Sequence, residues 1–515
     1  MSRESGDIRE YIEASWETLS RSWDHLVEAA DDPKLGELQR YPVFVSSGEN
    51  LEQIREVVGA VLSPQEMARI EWRVLPEDVK TRPQLEGGIE AHGLLFLPHP
   101  YVVPGGRFNE MYGWDSHFIN LGLLASERVE QARQMADNHL YQVEQYGRVL
   151  NANRSYYLTR SQPPFLATTV ADVYRQTRDL DWLRRALPAL ESTYGFWTSE
   201  PHLTPSTGLS RYYDLGHGPA VEVEASEKDE AGLTHYDRIR DELKALLELP
   251  AAEVEQSLGY PLDRFYDRST DCLTEEFYRG DRSMRESGYD PSDRFGRFNA
   301  DVVSYNPVDL NSLLYLYEKE MAWLAQELGE EASQNLWEGR AKLRAEAMSR
   351  YLWDDEQGLF FDYNVRTERR RAYPFATTFF PLWTGWATAE QAARVHDHLG
   401  SFLRQGGLLT SHFVSGNQWD APFGWAPLQL AAVEGLERYG YSESAQKVAS
   451  AFLTMVEAEF ARTGTIVEKY DVERASADVS ADIAFGYSSN EIGFGWTNAV
   501  YLKLKSAYFS TTETA

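Results

Sequence analysis

A helical periodicity that keeps returning in pairs is the strongest constraint on this chain. Residues 126–147 read as one helix behind a serine cap at Ser126, with Val129, Ala132, Met135, Leu140 and Val143 near three-to-four spacing. Residues 181–197 follow with Trp182, Leu183, Leu187, Leu190 and Tyr194. Residues 307–328 carry Leu310, Leu313, Leu314, Tyr317, Met321 and Leu324 and stop at Gly329. Residues 331–353 start at once, with Leu336, Leu343, Met348 and Leu352 as their stripe. Thr388-Ala-Glu-Gln391 predicts a capping box before a helix that Gly400 ends, and residues 427–439 and 442–462 make a further pair. Helices joined by loops this short lie antiparallel beside one another, so the pattern predicts stacked helical hairpins. Strand signals are few. Gly358-Leu-Phe-Phe-Asp-Tyr, after a turn at 354–357, reads as a short hairpin arm, and the charged stretch 222–255 reads as a helical excursion from the core.

Composition narrows the function classes. The 515 residues are 43% hydrophobic and 25% charged, an ordinary globular mix. A net charge of −30 argues against nucleic acid, whose phosphates need Lys and Arg, and against anionic membrane surfaces. The single cysteine, Cys272, excludes an intramolecular disulfide framework and a zinc site built on several thiolates. It is expected to be an inert buried or loop thiol. Residues 1–23 are too charged for a secretory signal, and the uncharged run 372–389 is broken by Pro374, Pro381 and Gly385. These features predict a soluble cytoplasmic protein. Trp-Asp pairs at 23, 114, 353 and 419 lack a propeller's period of about 40–45 residues. No Gly-rich phosphate loop, dinucleotide fingerprint, His-Glu-x-x-His or Gly-x-Ser-x-Gly motif is present.

The chemistry is concentrated in segments between helices: residues 104–115, 151–164, 286–290 and 418–427. They mix arginine, amide, carboxylate and aromatic groups. That mixture suits a neutral polyhydroxy ligand, whose hydroxyls take bidentate hydrogen bonds and whose C–H face takes a ring.

At these segments the sequence resembles the trehalases, glycoside hydrolase family 37. Pro104-Gly-Gly-Arg-Phe-Asn-Glu-Met-Tyr-Gly-Trp-Asp115 is similar to the family's first signature, and Gln418-Trp-Asp-Ala-Pro-Phe-Gly-Trp-Ala-Pro427 to its second. Asn153-Arg-Ser-Tyr-Tyr-Leu-Thr-Arg-Ser-Gln-Pro-Pro, Pro307-Val-Asp-Leu-Asn-Ser-Leu-Leu, Glu468-Lys-Tyr-Asp-Val and Gly493-Phe-Gly-Trp-Thr-Asn follow the family's blocks in order, over about residues 90–505. The resemblance implies an all-α fold, an (α/α)6 barrel, with residues 86–515 as the catalytic barrel. Residues 1–85 would be a helical lead-in packed on it, and an insertion at about 222–289 would cap the site. It also implies an inverting glycosidase that needs no metal. No cofactor is expected, and the expected partner is a small-molecule glucoside bound by a monomer or small homo-oligomer.

By that resemblance Asp290 is the general acid and Glu468 the general base. Inverting hydrolysis itself requires such a pair, one carboxyl to protonate the leaving oxygen and one to activate water on the opposite face. Lys469 is given no tuning role, because neighbouring side chains diverge. The implied substrate-binding set is Arg107, Phe108, Trp114, Asp115, Asn153, Arg160, Gln162, Glu222, Gly288, Trp419, Asp420 and Trp425. Asp115 is read as a sugar-hydroxyl ligand against a helix cap, Arg107 as a ligand-binding group against a structural ion pair, and Trp114 and Trp419 as sugar platforms against barrel core. His117, His217 and His412 are read as structural.

The departures shape the substrate expectation. The family's Arg-Pro-Glu-Ser stretch is Gly218-Pro-Ala-Val-Glu-Val here, with only Glu222 in reach of the glutamate's role. Its Gly-Glu-Tyr is replaced by Phe485-Gly-Tyr-Ser, with Glu491 nearby, and Tyr289 replaces the usual Trp before the acid. A lost charged hydrogen bond costs about 1.5–3 kcal/mol. The expected substrate is therefore glucosylglycerol or glucosylglycerate ahead of trehalose. A non-catalytic sugar-binding protein and a hydrolase of longer glucans are the remaining alternatives.

Overall fold

The computed structural model describes residues 7–509 apart from 37, 227–231, 480–482, 484 and 488, so part of the charged stretch lies outside the described residues. Six helices form a closed inner ring: α2 (Gly113–Ala125), α4 (Leu166–Thr177), α10 (Val308–Glu327), α12 (Phe380–Thr384), α14 (Ala426–Arg438) and α16 (Gly495–Phe509). Each touches the next, and α16 packs back on α2. The outer layer is α3 (Val129–Tyr146), α5 (Leu180–Trp197), α11 (Glu331–Tyr351), α13 (Ala389–Asp397) and α15 (Ser442–Thr463), with α1 (Ile8–Thr18) lying against α16. This is the (α/α)6 barrel that the family resemblance implies, and it contains the stacked hairpins that the periodicity predicts.

Burial separates the two layers. Inner α14 buries Ala426, Pro427, Leu428, Gln429, Leu430, Ala431, Ala432 and Val433 in succession, whereas outer α11 buries only Trp337, Ala341, Arg344 and Met348. The stripe on α11 differs from expectation. Leu336 and Leu343 face solvent at 54% and 68% exposure. The helix is instead rotated to bury Trp337 and the Arg344–Glu318 ion pair at 2.8 Å. Ser126 likewise does not cap α3; it closes α2, and α3 starts after Arg128. Thr388 and Gln391 form the expected capping box, but a short helix, Leu399–Phe402, runs through Gly400.

The connections are lopsided. Turns from an inner to the following outer helix take two to four residues, while those from outer to inner are far longer and carry the short strands. The largest, between α5 and α10, holds α6 (Val221–Ser226), α7 (His235–Ala245), α8 (Ala251–Leu258) and α9 (Glu275–Ser287). It folds around its own core of Tyr236, Ile239, Leu243, Val254, Leu258, Phe265 and Phe277.

The lead-in is not purely helical. Strands β1 (Tyr41–Val45), β2 (Ile70–Val74) and β3 (Leu94–Leu95) form a parallel sheet with β1 in the centre. All five residues of β1 are buried, which suits the unbroken apolar run Tyr-Pro-Val-Phe-Val. Leu26, Ala29, Val58, Leu62 and Phe96 complete its separate core.

Candidate active site

One pocket opens at the N-terminal end of the inner ring. Its walls come from the long segments that lead into inner helices. Arg107, Phe108, Tyr112, Trp114 and Asp115 precede or open α2, and Asn151, Tyr157, Arg160 and Gln162 precede α4. Gly288 and Asp290 precede α10, Gln418 and Trp419 precede α14, and Glu468, Tyr487, Phe494 and Trp496 lead into α16. Glu222 and Val223 enter from α6 and Arg285 from α9.

The two carboxylates sit in different surroundings. Glu468 is buried at 1% exposure, and its Oε1 accepts from the Tyr487 hydroxyl. Its Oε2 lies 3.3 Å from the Lys469 ammonium. Burial pushes the Glu468 carboxyl up, while the Lys469 charge and the Tyr487 hydrogen bond oppose the rise. Lys469 thus does what sequence spacing denied it. Its backbone pairs with Trp425 where β4 (Phe423–Trp425) meets β5 (Lys469–Asp471), and its long side chain folds back beneath the Tyr487 ring at 3.8 Å. Burial also lowers the Lys469 ammonium.

Asp290 is more open, its side chain 32% exposed, with one oxygen 3.6 Å from the Arg285 guanidinium. Arg285 is itself tied to Asp281 at 3.1 Å. Gln418 joins the two halves: its amide donates to the Asp290 carbonyl at 2.5 Å and its Oε1 accepts from Lys469 at 3.2 Å.

Asp115 lies in the first turn of α2, whose N-cap is Tyr112. Burial first, then the charges of Glu468 and Asp290, push the Asp115 carboxyl well above the carboxylate range. Arg160 is held by Asp214 at 2.8 Å and Glu222 at 2.5 Å, and its Nη2 has no hydrogen-bond partner among the described residues. Gln162 Oε1 accepts from the Trp114 amide at 2.8 Å and so orients the start of α2. Gly288 has φ +79°, and a Cβ there would meet the Trp114 indole at 2.9 Å. Trp114, Trp419 and Trp496 make the pocket floor, with Trp114 ring centroids 5.8 Å from Trp419 and 5.6 Å from Trp496.

Three expected ligands lie outside the pocket. Asn153 is fully buried, accepting from the Met111 amide at 2.8 Å and donating to the Leu95 carbonyl at 3.2 Å. Asp420 is engaged by Tyr373, Ser411, Ser415 and the Asp293 amide, and burial pushes it up to about 6. Trp425 stacks behind Trp419 at 3.8 Å. Each braces a pocket segment from behind. Of the histidines, His117 stacks on Phe165 in the core, and neither His217 nor His412 lines the pocket. Cys272 is exposed on a hairpin strand rather than buried. Sequence reasoning missed Tyr112, Asn151, Tyr157, Arg285, Gln418, Tyr487, Phe494 and Trp496 as pocket walls, although most lie inside the motifs already singled out.

An (α/α)6 barrel whose inner-helix openings bring acidic, arginine and indole groups into one pocket defines a class, the barrel glycoside hydrolases. The Trehalase family model matches residues 9–508, and the chain belongs to that family. The cytosolic neutral trehalase of Saccharomyces cerevisiae is 38% identical over 79% of this chain and 56% of its own length. That of Emericella nidulans is 36% identical over 95% of this chain and 70% of its own. The chain thus spans little more than half the length of the yeast relative. The solved structure of neutral trehalase Nth1 from Saccharomyces cerevisiae gives a TM-score of 0.79 at 33% identity, covering 99% of this chain and 95% of that one. A GH63 mannosylglycerate hydrolase from Thermus thermophilus, at 19% identity and TM-score 0.52, shares the fold over 78% of this chain and 95% of its own.

These relatives overturn the preference for glucosylglycerol or glucosylglycerate. The structure gives the physical reason. The expectation rested on the absent arginine and the absent Gly-Glu-Tyr glutamate, yet Arg285 reaches the pocket from α9, and Glu222, the expected stand-in, reaches it on Arg160.

Removing the Lys469 charge tests the coupling at Glu468. If Glu468 is the general base that the family resemblance implies, it works ionised, and activity falls as pH drops through its pKa. Lys469 opposes the upward shift, so Lys469→Met should move the acidic limb of the kcat/KM profile to higher pH. A limb that stays in place would show that the pair is not electrostatically coupled.

Proposed function

We propose that this chain is an inverting hydrolase of α,α-trehalose, with Asp290 as general acid and Glu468 as general base. What carries the reading is the family membership together with one pocket that holds both residues. Asp290 would protonate the glycosidic oxygen while Glu468 takes a proton from water attacking the anomeric carbon from the other face. Tyr487 and Lys469 hold the Glu468 carboxylate in place, and Gln418 fixes the Asp290 segment relative to it. Burial and neighbouring carboxylates favour a neutral Asp115, which then both donates to and accepts from a sugar hydroxyl. Arg160 lines the wall with an Nη2 that has no hydrogen-bond partner among the described residues, and the tryptophan floor covers the sugar's C–H face. The insertion acts as a cap, supported by the place of Glu222 and Val223 in the wall. We infer cytosolic residence from the names of the relatives, and no described helix is long and apolar enough to cross a membrane.

The test is stereochemical. Inversion at one anomeric carbon of trehalose releases one β- and one α-glucose, so NMR at the earliest times should show equal amounts. Two α-glucose products would mean retention and remove Glu468 from the role of base.

A further inference from the structure

Lys34 lies in the lead-in, far in sequence from every motif, yet its side chain lines the pocket beside Arg107, Tyr112 and Tyr157. It is 5% exposed, and an ammonium so placed needs partners. Glu110 Oε1 accepts from it at 2.9 Å, and Asp32 Oδ1 lies at 3.4 Å. The same two carboxylates face Arg154, at 2.9 Å from Glu110 and 3.6 Å from Asp32. Arg154 also donates to the carbonyls of Ala29, Ala30 and Asp31, so it already anchors this part of the lead-in to the barrel. Asp32 is fixed a second time by the Tyr156 hydroxyl at 2.7 Å, and Leu35 packs on the Tyr112, Tyr156 and Tyr157 cluster. Of this buried charge cluster, Lys34 is the member that also forms pocket wall.

We propose that Lys34 is a substrate-contacting residue that donates a hydrogen bond to a hydroxyl of the bound disaccharide. An ammonium has three donors, and the carboxylates on its inner side leave one for the pocket. The lead-in therefore completes the binding site instead of merely packing on the barrel. This rests on the trehalose reading given above.

The experiment compares wild type with Lys34→Met and Lys34→Arg in the full chain. For folded Lys34→Met, KM for trehalose should rise about tenfold or more with kcat within about threefold, the signature of lost binding. Lys34→Arg keeps the charge but moves the donors, so its KM should fall between the two. Trehalose binding by calorimetry in the Asp290→Asn background, with and without Lys34→Met, gives a readout that does not need turnover. A folded Lys34→Met protein with a lower melting temperature but unchanged KM and trehalose affinity makes Lys34 purely structural and overturns the proposal. If that variant does not fold, a Lys34→Arg protein with wild-type KM overturns it. Wild type that binds trehalose without cleaving it would sink the proposed function and leave the Lys34 contact to be decided by the binding arm.

Discussion

Asp290→Asn is expected to lower kcat on trehalose by about 10²–10⁴-fold while the protein stays folded. The side chain is 32% exposed, and the segment is held through its backbone, the carbonyl accepting from Gln418. Loss of the carboxyl therefore removes chemistry more than structure. The control is the leaving group. α-Glucosyl fluoride departs with little help from an acid, so the same variant should keep a much larger share of its activity on that substrate. Trehalose activity within tenfold of wild type, or equal losses on both substrates, would remove Asp290 from the role of acid.

Glu468→Gln should behave in the opposite way. Water must be deprotonated whatever leaves, so both substrates should lose about 10²–10⁴-fold. The glutamine still accepts from Tyr487, and Lys469 keeps Gln418 and the Tyr487 carbonyl as partners. Azide needs no base, so it should restore turnover with α-glucosyl fluoride and yield β-glucosyl azide. Failure of azide in a folded, trehalose-binding variant would point away from base catalysis at this position.

The outer helices were legible in the sequence because each buries a single stripe, as in α11 with Trp337, Ala341, Arg344 and Met348. Even there, periodicity found the helix and placed Met348 and Leu352 correctly, but Trp337 and the Arg344–Glu318 pair are buried where Leu336 and Leu343 were expected. Inner helices such as α2 and α16 gave no stripe, being buried nearly all round, and they open inside motifs that read as loops. The sheet at β1 was hidden in the same way, its side chains covered on both faces. At the site, the motif residues Asp290, Glu468, Arg107, Asp115 and Arg160 all reach the pocket. Arg285 and Lys34 carry no local signal, because what brings them there is the packing of an insertion and a lead-in. Tyr487 sits where a glutamate was sought, and its hydroxyl donates directly to the Glu468 carboxylate.

The lopsided connections have a consequence for how such a protein can change. Turns of two to four residues on one face leave no slack, so a lengthened turn there would strain the ring it closes. On the other face, five long segments each deliver a few groups to one small volume, and none of them sets the spacing of the ring. Which ligand fits is then a property of those five segments, each open to change on its own while the helical stack beneath stays as it is. Circular permutants cut in the short turns and permutants cut in the long segments should separate the two properties, the first failing by melting and the second by selectivity.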